Sequence, residues 1–256
     1  PNQDNIIVMP PTYGMYKVLA NINCIFLDEV PLNTDFQLVT KDIFNHISSQ
    51  TKAIFLCSPN NPSGNSFHRA DILSLLQSFD GLVVVDEAYI DFSTQKSLVT
   101  ELPYYPNLII TQTLSKAYGL AAIRLGFCMA SEEIINILNK IKPPYNINSL
   151  TQERAISALE DCDATLEQIT QLIAEREYLF AQLETISFVE KVYPSDANFL
   201  LVRDDDANKR YTQLIQNDIV VRNRSNHVGC ENCLRFSVGT PQENQILIET
   251  LNRLSS

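Results

Sequence analysis

A surplus of positive charge is the first thing this sequence lacks: 19 Lys and Arg stand against 30 Asp and Glu, a formal net charge of −11. Without a basic footprint, neither nucleic acid nor an anionic membrane surface is expected as a partner. A long apolar run is also missing. No stretch approaches the ~18 apolar residues of a membrane span, and residues 1–13 lack the basic segment leading into an apolar one that marks a secretory signal. A soluble, cytoplasmic protein is the expectation. Glycine is scarce, 7 in 256 residues, and no G-x-G spacing offers a phosphate nest. What is present is ordinary globular composition, 45% hydrophobic and 19% charged, which excludes a disordered chain. The length suits one large domain or two modest ones.

Six cysteines are present, Cys24, Cys57, Cys128, Cys162, Cys230 and Cys233. A chain this long does not need disulfide staples, and Cys24, Cys57 and Cys128 fall in apolar strand-like runs, so reduced thiols are expected. Cys230-x-x-Cys233, with His227 three residues earlier, suggests zinc or redox chemistry. Only one such pair exists, however, and a structural zinc site takes four ligands, so no metal is expected and the pair reads as a loop before a strand. The sequence opens on Pro1 rather than Met and enters a strand within a few residues, which suggests a piece of a longer chain.

Short apolar runs alternate with helical patterns through the first two thirds, the signature of βαβ units and a largely parallel sheet. Strands are predicted at 6–9, 24–27, 53–57, 82–85, 108–111 and 125–130, and helices at 13–20, 42–48, 69–78 and 132–140. The strands are apolar almost throughout, as expected for a sheet covered on both faces. After Pro143-Pro144, residues 150–183 read as one long helix joining two domains, with Leu166, Ile169, Leu172, Ile173, Leu179, Phe180 and Leu183 on its apolar face. The remainder reads as strands at 188–193, 198–202, 220–223 and 234–238 with helices at 208–216 and 242–254, a small α+β unit. The predicted division is a large α/β domain over 1–163 and a small domain over 164–256.

Four signals fall at strand ends, where open α/β sheets place ligands. Cys57-Ser58-Pro59-Asn60-Asn61-Pro62-Ser63-Gly64 ends a strand in a turn able to hold an Asn amide over a cleft, or a turn without chemistry. Val83-Val84-Val85-Asp86-Glu87-Ala88-Tyr89 puts Asp86 at the sheet edge, where a carboxylate either meets a cation or caps a helix. Thr113-Leu114-Ser115-Lys116 leads through Ala117-Tyr118-Gly119 to Arg124. A lysine among hydroxyls and small apolar residues loses its proton readily, as an imine-forming amine must, and hydroxyls with an Arg suit a phosphate dianion. Leu234-Arg235-Phe236-Ser237-Val238 puts an Arg on a strand, suited to a carboxylate or phosphate.

An imine lysine, a carboxylate for a pyridinium nitrogen and a phosphate cradle together describe pyridoxal phosphate. These segments, with Pro10-Pro11-Thr12-Tyr13-Gly14-Met15-Tyr16, resemble the fold-type I pyridoxal-phosphate aminotransferases, most closely the histidinol-phosphate aminotransferases. The resemblance implies a large domain with a mostly parallel sheet flanked by helices and a small α+β C-terminal domain. It implies that Lys116 bonds the cofactor and then moves the proton between substrate Cα and cofactor C4′. Asp86 would pair with the ring nitrogen, Asn61 and Tyr89 would bond O3′, and Tyr13 would stack on the ring, although Tyr16 fits that position equally by periodicity. Thr113, Ser115 and Arg124 would hold the cofactor phosphate. Arg235 would bind the α-carboxylate of glutamate or 2-oxoglutarate and the phosphate of histidinol phosphate, with Arg222 a second phosphate contact. A homodimer is implied. The family's N-terminal arm, its partner-reaching Tyr and its Gly-rich phosphate turn are absent from this sequence. A threonine-phosphate decarboxylase-like lyase, or an inactive fragment of the fold, are the alternative readings.

Overall fold

The computed structural model describes residues 3–255; Pro1, Asn2 and Ser256 lie outside them. Strands β1 (Asn5–Val8), β2 (Phe26–Glu29), β3 (Thr51–Cys57), β4 (Leu82–Asp86), β5 (Leu108–Thr113) and β6 (Gly126–Ala130) form one sheet in the order β2-β1-β3-β4-β5-β6. All its pairings are parallel except β5 with β6, which is antiparallel. The connecting helices are α1 (Met15–Ile22), α2 (Thr40–His46), α3 (Arg69–Ser78) and α4 (Glu132–Ile141). Two helices follow, α5 (Ser149–Glu160) and α6 (Cys162–Leu183). The second sheet contains β7 (Val189–Val192), β8 (Phe199–Asp204), β9 (Arg222–Asn223) and β10 (Cys233–Ser237) in the order β7-β8-β10-β9, packed with α7 (Ala207–Gln216) and α8 (Pro241–Ser255). No helix among the described residues is long and apolar enough to cross a membrane.

Period-two alternation sorts the large sheet's side chains onto two faces. Ile7, Ile54, Leu56, Val83, Val85, Leu108 and Ile110 are fully or almost fully buried against Ile43 of α2 and Ile72, Leu75 and Leu76 of α3. Ile6, Val8, Ala53 and Cys57 on the opposite face meet Tyr16 and Ala20 of α1. Coverage on both faces, expected from the apolar strands, is therefore incomplete at the margins. Phe127 and Cys128 of β6 are exposed, and α4 buries no residue although its apolar spacing is helical as predicted.

Of the boundaries that differ from the sequence reading, three do so for clear local reasons. The predicted strand at 24–27 begins only at Phe26, because the Cys24 and Ile25 amides close α1 by donating to Asn21 and Ala20 carbonyls and Cys24 turns left-handed (φ 53°). The single helix predicted over 150–183 breaks at Asp161 (φ −103°, ψ 64°). Acidic Glu160, Asp161 and Asp163 oppose the dipole at the end of α5 and favour the start of α6. In the small sheet β9 pairs with β10 only through Arg222 and Asn223, so Val220 and Val221 precede the ladder.

The two sheets meet along α6. Its Ile169 packs with Tyr89, Phe92, Ala117, Ala197 and Phe199, while Leu179 and Leu183 sit in the core of the small sheet. Between them Arg176 is buried, and its Nη1 donates to the carbonyls of Phe92 (3.1 Å) and Ala197 (3.0 Å), one from each side of the joint. A second joint lies at Gly64, where a Cβ would stand 2.5 Å from Ser195 Oγ and φ is +88°. Arg176→Met strands two buried carbonyls, so we expect a loss of about 2–4 kcal/mol, read as a lowered urea midpoint with unchanged slope. An unchanged midpoint would show that Arg176 does not hold the joint.

Candidate active site

Register in the large sheet builds the floor of the site. Cys57, Asp86 and Thr111 stand side by side at the C-terminal ends of β3, β4 and β5. Three valines drive β4 into the core and carry Asp86 with them to the floor of the cleft, where it is only partly exposed. Its Oδ2 accepts from Tyr16 Oη at 2.8 Å and its Oδ1 from the Ala88 amide at 3.1 Å. Burial pushes the Asp86 carboxyl above its ordinary range, against the pull of these bonds and of Lys116. The neighbouring Glu87 points the other way and is consumed structurally by Ser97 Oγ, the Leu98 amide and Gln112 Nε2.

After β5 the chain turns tightly, with Leu120 N–H donating to Leu114 O and Gly119 N–H to Lys116 O, both at 3.0 Å, and Gly119 at φ +64°. This turn holds Lys116 inside the cleft, its Nζ 5.2 Å from the centre of the Tyr89 ring. Burial, then the charges of Arg235 and Arg124, lower the Lys116 ammonium from its ordinary value. A neutral amine is thus more accessible here than on a surface lysine. Burial also pushes Tyr89 and Cys57 up to about 12, so both keep their protons at neutral pH. Thr113 Oγ1 lies 2.9 Å from Ser115 Oγ and accepts from the Ser115 amide at 3.1 Å, a compact hydroxyl pair on the same turn. Arg124, left-handed at φ 56°, reaches the same cavity and donates to Ala121 O at 2.9 Å.

The small sheet supplies the opposite wall. Arg235 lies over the Phe199 ring at 4.6 Å and donates from Nη1 to Asn61 Oδ1 at 2.7 Å, tying the loop after β3 to β10. Asn60, fully buried, holds that loop through Pro11 O and Ser63 Oγ and leaves Asn61 to face the cleft. The cleft between the two walls has a volume of about 690 Å³.

All ten residues expected at the site line this cavity: Tyr13, Asn61, Asp86, Tyr89, Thr113, Ser115, Lys116, Arg124, Arg222 and Arg235. Tyr13 sits at the rim, 42% exposed, edge-on to Tyr16 with ring centres 5.6 Å apart. Tyr16 instead lies beneath as the partner of Asp86. Arg224, Thr111 and Cys57 also line the cavity and were not expected there. Period-two spacing from Arg222 could have revealed Arg224; the contact between Tyr16 and Asp86, 70 residues apart, left no local signal. Cys230, just before β10, and Cys233, its first residue, are buried in the large core as free thiols.

The model of "aminotransferase class I and II" matches residues 1–251. The chain belongs to this family. A histidinol-phosphate aminotransferase from Flavobacterium johnsoniae is 58% identical over 255 residues, 100% of this chain and 73% of that protein. One from Bacteroides fragilis is 48% identical, over 99% of this chain and 73% of its own length. Among solved structures, the histidinol-phosphate aminotransferase from Clostridium acetobutylicum superposes with a TM-score of 0.93 at 25% identity, covering 98% of this chain and 78% of that one. The pyridoxal-5′-phosphate complex of the Sinorhizobium meliloti histidinol-phosphate aminotransferase has the same fold, with a TM-score of 0.88 at 21% identity, 100% of this chain and 71% of that one.

Proposed function

We propose that this protein transfers the amino group of L-histidinol phosphate to 2-oxoglutarate, giving imidazole acetol phosphate and glutamate, with pyridoxal phosphate as cofactor. The observation that carries this reading is the charge of the cavity. Five cations, Lys116, Arg124, Arg222, Arg224 and Arg235, line it with one partly buried carboxylate, Asp86, and none of the six takes part in an ion pair among the described residues. The donor set fits the cofactor: a cationic ring nitrogen would neutralise Asp86, and a phosphate would meet Thr113, Ser115 and Arg124. High identity to named histidinol-phosphate aminotransferases supports the substrate.

When bound, pyridoxal phosphate supplies an electron-withdrawing ring that accepts the pair left at substrate Cα. Each residue here then has a defined task. Asp86, fixed by Tyr16 and the Ala88 amide, keeps a negative charge opposite a ring proton. Lys116, with its lowered basicity, accepts the proton from substrate Cα and returns it at the other carbon. Tyr89, protonated at neutral pH, and the Asn61 amide offer donors to the ring oxygen. Arg235, stacked on Phe199 and held by Asn61, presents its fork to the carboxylate or phosphate of the substrate, with Arg222 beside it. Tyr13, at the rim of the cavity, would cover the face of the cofactor ring.

We propose the domain division at 163/164, at the start of α6, whose C-terminal half carries Leu179 and Leu183 into the core of the small sheet. A cytoplasmic homodimer completes the reading, supported by the exposed apolar side chains of Ile137, Ile141, Leu150 and Ile156 on consecutive helices; sedimentation at twice the 28.9 kDa chain mass checks it. The function is tested by incubating the loaded enzyme with L-histidinol phosphate in the presence and absence of 2-oxoglutarate. Glutamate formation dependent on both substrates is expected. Release of carbon dioxide from threonine phosphate without 2-oxoglutarate would point instead to the lyase.

A further inference from the structure

The substrate wall of the cavity has more cationic capacity than a carboxylate requires. Arg222 stands directly opposite Arg235 in the antiparallel ladder of β9 and β10. Arg224, two residues further along the same strand direction, projects to the same side, and all three line the same cavity. The backbone of Arg224 is fixed: its N–H donates to Cys233 O at 2.8 Å, extending the ladder, and its carbonyl accepts from the His227 amide at 2.9 Å. Its guanidinium is not. Among the described residues Nε of Arg224 is buried without a partner, as is Nε of Arg235, and no carboxylate pairs with either. Three guanidiniums on one sheet face repel each other unless an anion lies between them.

The two halves of the proposed reaction make different demands on that face. A carboxylate carries one charge and two oxygens and is satisfied by one guanidinium fork, the role given to Arg235. A phosphate monoester carries close to two charges and three terminal oxygens and needs donors from more than one direction. Resting on the reading of the site as a histidinol-phosphate aminotransferase, we infer that Arg224 is a specificity-determining contact for the phosphate dianion of the amino donor, unnecessary for the α-carboxylate of glutamate that Arg235 holds. It gives the site its preference for a phosphorylated amine. Burial and the neighbouring Arg222 hold the Arg224 guanidinium below its ordinary basicity, consistent with a cation awaiting an anion.

The test uses the loaded enzyme in single turnovers of each half-reaction, with Arg224→Gln and Arg224→Lys beside the parent, and calorimetric titration of inorganic phosphate and of acetate into each. Loss of a charge-assisted contact predicts a roughly tenfold to hundredfold fall in efficiency with L-histidinol phosphate for Arg224→Gln, at least tenfold greater than the fall with glutamate. The change should lie in the saturation constant more than in the limiting rate. Phosphate affinity should fall in parallel while acetate affinity falls far less, and Arg224→Lys should recover part of the loss. Equal losses in both half-reactions with equal losses of phosphate and acetate affinity would assign Arg224 a structural role and overturn the inference, as would no loss at all. If the parent does not turn over histidinol phosphate, the proposed function fails, and the phosphate and acetate titrations still decide the role of Arg224.

Discussion

Replacing Lys116 by Ala should abolish transamination while leaving the fold intact. Among the described residues no hydrogen bond or ion pair of its ammonium holds the surrounding structure; its contact is the face of the Tyr89 ring at 5.2 Å. Removing the ammonium relieves repulsion with Arg235 and Arg124 and gives up its attraction to Asp86, opposing effects that offset one another. Thermal stability should therefore be preserved. Activity has no such substitute, because one group both anchors the cofactor and carries the Cα proton. The expected loss in kcat is on the order of 10⁴-fold or more, the scale seen when an enzyme loses its nucleophile or base. Arg at this position should not rescue, since a guanidinium stays protonated. Borohydride reduction of the loaded parent followed by peptide mapping should place the cofactor label on Lys116, and a label on Lys140 or Lys142 would contradict the assignment.

Asp86→Asn should separate stability from catalysis. The folded carboxyl titrates above its ordinary value of 3.8 because it is buried. Between the unfolded and folded values the native state therefore binds more protons, so stability falls as pH rises through this window. The cost of burying the charge is absent below the unfolded value and fully present above the folded one. An amide of the same shape removes that cost and, accepting from Tyr16, gives up only the longer bond from the Ala88 amide. The cofactor-free variant should consequently melt no lower than the parent at neutral pH, with its relative advantage shrinking in acid. Turnover should move the opposite way, by roughly 10²–10³-fold, the effect of deleting one preorganised electrostatic partner. A variant with near-parental kcat would make Asp86 a structural cap of the Ala88 turn. One that melts far lower would show that its charge is compensated in the folded state.

The strand ends were legible because the chemistry there is written locally. Three valines ahead of Asp86, the hydroxyls flanking Lys116 and the apolar strand around Arg235 each combine a placement signal with a reactive group, and all ten expected residues meet in one cavity. Strand and helix types in the α/β region were also readable from periodicity. What was hidden depends on distance or on competing local forces. Tyr16 and Asp86 are brought together only by the packing of α1 on β1 and β3. The break at Asp161 reflects helix-end electrostatics overriding an apolar stripe that continues across it. The left-handed Cys24 delays β2 because closing α1 consumes the amides that the strand would have used. Arg224 lay two residues from an assigned arginine and needed only the alternation of β9 to be seen.

The central claim is that this cavity performs both halves of an amino transfer at Lys116. It is tested most directly by following the absorbance of the loaded enzyme through separate additions of its two substrates. L-Histidinol phosphate alone should convert the Lys116-bound cofactor stoichiometrically to its amine form, and 2-oxoglutarate alone should then restore the original spectrum with one equivalent of glutamate. A spectrum unchanged by histidinol phosphate, or converted by it but not restored by 2-oxoglutarate, would contradict the account.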